Sequence, residues 1–320
     1  MKKFRVLFTI LLIWSVSTAA SAAELLIPGG QIIGLELQDN TVTVTAFDET
    51  LGTPAQAAGL REGDRILRID STVIYSAEDI RKALYSSDGQ VDISVLRGSK
   101  TKQLTVAPTA TPEGPRLGVY LRQGTTGVGT VTYYDPDSQR FAALGHGVNT
   151  QSGSLLQLTK GSVYAAQVLS VKKGAVGTPG QLLGSLTAAA PLGTIEKNTA
   201  QGVFGSMDAA CKTQPLPVAD HEDVHTGPAI IRSTVDADSL REYSVEILKI
   251  YPNANDRSRN MLLKVTDPDL LKTTGGIVQG MSGSPIIQDG KLVGAVTHVL
   301  VNDPTTGYGI FIENMLDAAA

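Results

Sequence analysis

Cysteine is all but missing from this chain: Cys211 stands alone among 320 residues. Without a second thiol an internal disulfide is excluded, so packing and hydrogen bonds must hold the fold. Aromatic side chains are scarce too, with six Phe and one Trp against 33 Gly. That balance favours many tight turns and short strands. No excess of positive charge is present: 27 Lys and Arg face 31 Asp and Glu, for a net charge of -4. Nucleic acid and anionic lipid are therefore not expected partners. The H-E-x-x-H spacing occurs once, from His221 to His225. His221 and His225 stand near Glu222 and Asp223, but in a polar loop rather than on a helix, and no metal or other cofactor is expected.

Hydrophobic residues make up 42% and charged residues 18% of the chain, enough to bury real cores, and the length suits two domains. At the start, Lys2, Lys3 and Arg5 precede "VLFTILLIWSV" and small residues ending in "SAA". A basic segment, a short apolar core and an A-x-A-like site at Ala20 to Ala22 make residues 1–22 a secretory signal. Retention as an N-terminal anchor is the alternative. The apolar core is shorter than the roughly 20 residues a spanning helix needs, which favours cleavage.

Residues 26–108 read as one small α+β unit. Gly34 to Phe47 alternates as two strands around a turn at Asp39-Asn40. A short helix ending at Gly59, a strand "RILRID", and a helix "SAEDIRKAL" capped by Ser76 follow. "VDISVLR" and "KQLTVAP" close the unit as strands. The stretch "TPAQAAGLREGDRILRIDSTVI" with the "SAEDIRKAL" helix resembles a bacterial PDZ domain of the type attached to secreted proteases. The resemblance implies that a peptide adds as a strand and that a loop of backbone N–H groups holds its carboxylate. By position that loop falls on Gly29, Gly30, Gln31, Ile32, Ile33 and Gly34. Residues 109–116, rich in Pro, Thr and Gly, form a linker. From 117 to 320 the chain reads as short strands between glycine turns, the pattern of a sandwich or barrel.

Within this second region "GIVQGMSGSPIIQDGKLVGAVTH" (Gly276 to His298) cages a serine between glycines. Such a loop either curls to expose a nucleophile or is a glycine-rich hairpin, and the spacing alone leaves both open. As a nucleophile, Ser282 would use the N–H groups of Gly280 and Ser282 as oxyanion donors, by analogy with serine peptidases. Pro285 and the apolar residues after it continue as a hairpin, unlike the strand-to-helix elbow of G-x-S-x-G enzymes. Four histidines could serve as base. His146, in "AALGHGV", ends a strand between glycines that leave its ring accessible. His298 reads as a structural histidine, and His221 and His225 as loop residues. Asp267 ends an apolar strand where it could orient the base, with Asp269 as competitor.

The order His, Asp, Ser and the "GMSGSP" loop resemble chymotrypsin-like serine proteases, which implies a double β-barrel for residues 117–320. More closely, the chain resembles the SpoIVB peptidase family of endospore-forming bacteria, through Thr126 to Val148, Lys264 to Leu316 and the PDZ unit. The resemblance puts the catalytic histidine on His146, the aspartate on Asp267 and the serine on Ser282. Asn149 and Gln123 depart from that family, where acidic residues are common, and bear on loop structure. The resemblance further implies self-cleavage, cleavage of a membrane-bound regulator of an intramembrane metalloprotease, and activation of a late mother-cell sigma factor. It places the protein outside the cytoplasmic membrane, between forespore and mother cell, with self-association through the PDZ unit. The alternatives are a non-catalytic PDZ scaffold and an HtrA-like quality-control protease, the latter disfavoured because the PDZ unit comes first here.

Overall fold

The computed structural model of the protein describes residues 24–150, 153–208, 213–237, 239–252 and 257–320. The signal segment 1–22 and Cys211 lie outside the described residues. The first half of the chain runs β1 (Leu25–Pro28), β2 (Ile32–Phe47), α1 (Thr53–Ala57), β3 (Arg65–Ile69), β4 (Thr72–Val73), α2 (Ala77–Tyr85), β5 (Val91–Arg97) and β6 (Lys100–Val106). A hairpin of β7 (Thr109–Thr111) and β8 (Gly114–Arg116) occupies the expected linker. Next come β9 (Val119–Asp135), β10 (Arg140–Ala143), β11 (Lys160–Lys172), β12 (Gln181–Leu186), β13 (Gly193–Thr199), β14 (Gly202–Met207) and β15 (Leu216–Pro217). The last third holds β16 (Gly227–Thr234), β17 (Leu240–Ile250), β18 (Met261–Val265), α3 (Pro268–Thr274), β19 (Pro285–Gln288), β20 (Lys291–Leu300), β21 (Asp303–Phe311) and α4 (Ile312–Ala319).

The mainly β reading holds, and the region after the PDZ unit, with part of β2, forms a double barrel. Strand β2 pairs with β9 and β11, β11 with β13, β13 with β14, β14 with β10, and β10 with β9, closing one ring. A second barrel closes in the order β16-β17-β18-β21-β20-β19. Two-residue alternation builds these walls. In β17, Tyr243, Val245 and Ile247 point inward while Glu242, Ser244 and Glu246 face solvent or the rim. At about 25 cal/mol per Å² of apolar surface, each such inward side chain contributes roughly 1.5–3 kcal/mol.

The PDZ unit has its own core, with Val42, Ile66, Ile69, Leu84, Val91 and Ile93 buried together. Ser76 caps α2 as expected, its hydroxyl accepting the Asp79 N–H at 3.2 Å. One expectation needs correction. The stretch Gly34 to Phe47 is not a hairpin but part of one long strand. Residues 38–41 bulge out between the pairs Leu37–Thr125 and Val42–Gln123, and Asp39 closes the bulge by accepting from the Thr41 N–H and hydroxyl. Gln123 ties the bulge to the PDZ unit, its amide donating to the carbonyls of Asp39 and Tyr75. In consequence strand pairing runs across residue 108: Ile32–Leu37 pairs within the first barrel, and Val119–Gln123 pairs with Val42–Phe47.

Candidate active site

A cleft of about 590 Å³ opens between the barrels, with His146 on one side and Gly280, Ser282, Thr297 and His298 on the other. The nucleophile loop is reached through α3, which stops at Gly275 in the left-handed conformation (φ 76°). Gly280 (φ 101°) and Gly283 (φ 96°) then bend the chain where other residues would be strained. At Gly283 a Cβ would also lie 2.1 Å from the Thr130 carbonyl oxygen, so only glycine lets the loop approach β9.

Hydrogen bonds fix the loop peptide by peptide. The Gln279 carbonyl accepts the Leu182 N–H at 2.8 Å, and the Met281 carbonyl accepts the Ser284 N–H at 3.0 Å. In a trans peptide the N–H points opposite to the carbonyl. Anchoring those carbonyls therefore turns the N–H groups of Gly280 and Ser282 away from them, at residues that line the cleft. An oxyanion site needs two such N–H groups aimed at one point in the cleft. The Ser282 hydroxyl donates to the Thr297 carbonyl at 2.8 Å. Ser284 sits behind the loop, fully buried, its hydroxyl on Ser233 at 3.0 Å.

His146 follows β10 after Leu144 (φ 72°) and Gly145 (φ 67°), an abrupt turn that carries its ring into the cleft. Nδ1 lies 3.0 Å from the Gly147 carbonyl oxygen. A carbonyl only accepts, so the neutral ring keeps its proton on Nδ1 and leaves Nε2 as the acceptor. Burial lowers the His146 pKa below the ordinary 6.5, opposed by the Gly147 hydrogen bond. The His298 ring packs against it at 5.2 Å between centroids, tilted by 40°. His298 thus belongs to the cleft, which its position inside an apolar strand did not reveal.

Asp267 is elsewhere. Its Oδ1 accepts the N–H groups of Asp269 and Leu270 at 3.0 and 2.9 Å, making it the N-cap of α3, and Ser244 N–H reaches Oδ2 at 3.4 Å. The physical reason was in the sequence: an aspartate before Pro268 is a helix start, with proline at the first helical position. Asp269 lies in the first turn of the same helix. Among the described residues, no carboxylate lines the cleft. The structure brings together Ser282, Gly280 and His146, and leaves Asp267 out. His221 and His225 also separate, the first against Glu313 and the second against Asp289, each at 2.8 Å.

The PDZ loop assignment needs correction too. Gly29 and Gly30 donate to Thr132 and Val131, and Ile32, Ile33 and Gly34 are buried in the first barrel against β9 and β11. Gln31, between them, accepts the Val131 N–H through its carbonyl. The available groove is a cavity of about 550 Å³ between Ile80, Leu84 and Tyr85 of α2 and Leu117, Gly118 and Val119. Its signal was an apolar-Gly-apolar triplet just past the linker.

A family model described as SpoIVB peptidase S55 matches residues 113–316, and one described as a PDZ domain matches residues 32–107. Serine protease HTRA2, mitochondrial, of Drosophila virilis is 35% identical over 65 residues, 20% of this chain and 15% of that protein. The Bos taurus protein of the same name is 41% identical over 61 residues, 19% of this chain and 13% of its own. The chain thus spans about 15% of the length of the curated relatives it matches. Among solved structures, the PDZ domain of an SdrC-like protein from Listeria monocytogenes is 27% identical, with a TM-score of 0.23, covering 26% of this chain and 87% of that one. Rv3671c from M. tuberculosis, in an inactive form, is 13% identical with a TM-score of 0.35, covering 59% and 78%.

Proposed function

The chain belongs to the SpoIVB peptidase S55 family and is a serine endopeptidase with a PDZ domain, and we propose that Ser282 and His146 form its catalytic pair. The observation that carries this reading is that Ser282 and His146 line one cleft, with Gly280 beside them. A rotation about χ1 frees the Ser282 hydroxyl from the Thr297 carbonyl. His146 Nε2 then takes the hydroxyl proton as Oγ attacks the scissile carbonyl carbon. The N–H groups of Gly280 and Ser282 receive the negative charge on the former carbonyl oxygen, each worth about 3–4 kcal/mol. His146 passes its proton to the leaving amine. Water, deprotonated by the same ring, then releases the acyl group.

A carboxylate normally holds the base in the right tautomer, and losing it to an amide costs about 10⁴ in rate because the tautomer is wrong. Here the Gly147 carbonyl sets that tautomer. Asp267 acts at one remove, by starting the helix that leads into the nucleophile loop.

The substrate is a peptide segment of a protein. A second peptide, or the tail of the substrate, adds as a strand to the β9 edge at Val119–Gln123, whose other edge is taken by β2. The family resemblance supports the finer reading. The protein is exported, cleaves itself, and cleaves a membrane-bound regulator so that an intramembrane metalloprotease activates a late mother-cell sigma factor. Its place is the space between forespore and mother cell, and PDZ-mediated self-association precedes self-cleavage.

The purified chain and its Ser282→Ala variant, incubated with a fluorophosphonate probe, test the pair. Labelling of the parent and none of S282A is the expected result. Equal labelling of both, or of neither, would overturn it.

A further inference from the structure

The nucleophile loop belongs to the second barrel, yet two of its carbonyls are held by a single residue of the first. Thr130, on β9, is 1% exposed. Its hydroxyl donates to the Gly280 carbonyl at 2.7 Å, across 150 positions of sequence. Its own N–H donates to the Ser282 carbonyl at 3.1 Å. Its carbonyl accepts the Leu144 N–H at 3.2 Å, two residues before His146. One residue therefore touches both donor-bearing residues of the loop and the turn that presents the base.

The hydroxyl bond matters because of what Gly280 is. At φ 101° and with no side chain, this residue has several conformations open to it, and nothing of its own to select among them. Its N–H lies in the Gln279–Gly280 peptide plane, the first of two planes that meet at its Cα. The preceding one is pinned at the Gln279 carbonyl by Leu182, and the following one at the Gly280 carbonyl by Thr130. Releasing the second anchor leaves a partly buried carbonyl without its donor, and the glycine's Cα, freed on that side, can shift the preceding plane and with it the Gly280 N–H. A valine has nearly the same shape as threonine and fills the same space, but cannot donate.

We propose that Thr130 is the positioning residue of the oxyanion site, acting through its hydroxyl on Gly280, an inference that rests on Ser282 being the nucleophile. The test uses the full chain with p-nitrophenyl acetate as probe, comparing Thr130→Val, Thr130→Ser and Thr130→Ala, with S282A as control. Hydrolysis by the parent and none by S282A establishes the nucleophile separately. T130V is then expected to lose about tenfold to a hundredfold in kcat, somewhat less than deletion of an oxyanion donor, with KM within about twofold. T130S should recover to within about threefold, and the pH profile of T130V should keep its acid limb, since His146 is untouched. Should T130V fail to fold, T130A against T130S carries the same comparison, because both lack the methyl group and only T130S keeps the hydroxyl. Parent-like kcat in T130V or T130A, or T130S as impaired as T130A, would overturn the proposal. Activity retained by S282A would remove its premise.

Discussion

Turns in the PDZ unit are held by residues a few positions away, whereas the nucleophile loop is held largely across the chain. Asp48 accepts the N–H groups of Thr50 and Leu51, and Ser76 and Asp79 close the start of α2 on each other. Asp64 takes the Arg61 N–H at 2.9 Å, though it also reaches Arg97 in the adjoining strand. The loop from Gln279 to Ser284 depends instead on Leu182, Thr130 and Val296. Local anchors stabilise a unit without aiming anything, so their loss is felt as stability. Distant anchors fix the direction of the Gly280 N–H and the approach of two barrels, so their loss is felt as rate.

The sharpest way to break that contrast is at Asp64, whose side chain is fully buried and makes two 2.7 Å bonds to Arg97. Replacing it by alanine strands the guanidinium, and since Arg97 is partly exposed the cost is about 3 kcal/mol, the low end for a broken buried pair. Thermal unfolding of D64A followed by circular dichroism should show that loss, while ester hydrolysis at 25 °C keeps the parent kcat. A parallel fall in kcat would show that the shared strands β2 and β9 carry PDZ damage into the cleft.

A smaller effect is expected from pH. Burial lowers the His146 pKa, so the ring stays neutral, and able to accept a proton, to below pH 6.5. The acid limb of kcat/KM should therefore fall below 6.5. The sign for stability follows: a histidine with a lowered folded-state pKa favours the fold above 6.5, and that contribution is lost as pH falls through the lowered value. An acid limb at or above 6.5 in a rate–pH profile would contradict a buried base.

Much of this was legible in the sequence, and what was not shares one cause. Alternating strands, the α2 cap, the glycine-flanked Ser282 and the glycine-flanked His146 are local patterns. Strand pairing over a hundred residues is not, and so the interleaving of β2 and β9, the burial of Gly29 to Gly34 and the contact of Thr130 with Gly280 left no trace. His298 sits in an apolar strand of a kind usually read as core, and only the packing of the barrels brings it to His146. Asp267 is the instructive case. Its Asp-Pro pair is a helix start by local rules, but its place between His and Ser invites a catalytic role, and in the structure the local rule describes where its oxygens go.

The most direct test is the kcat/KM of Asp267→Asn beside Asp267→Ala. Asparagine caps a helix about as well as aspartate, while alanine costs about 0.5–2 kcal/mol of helix stability. If Asp267 acts as a cap, D267N keeps kcat/KM within about tenfold of the parent and D267A is the weaker and less stable of the two. A fall of about 10⁴ in D267N, with its thermal stability intact, would place the carboxylate on the His146 ring during turnover and contradict the account.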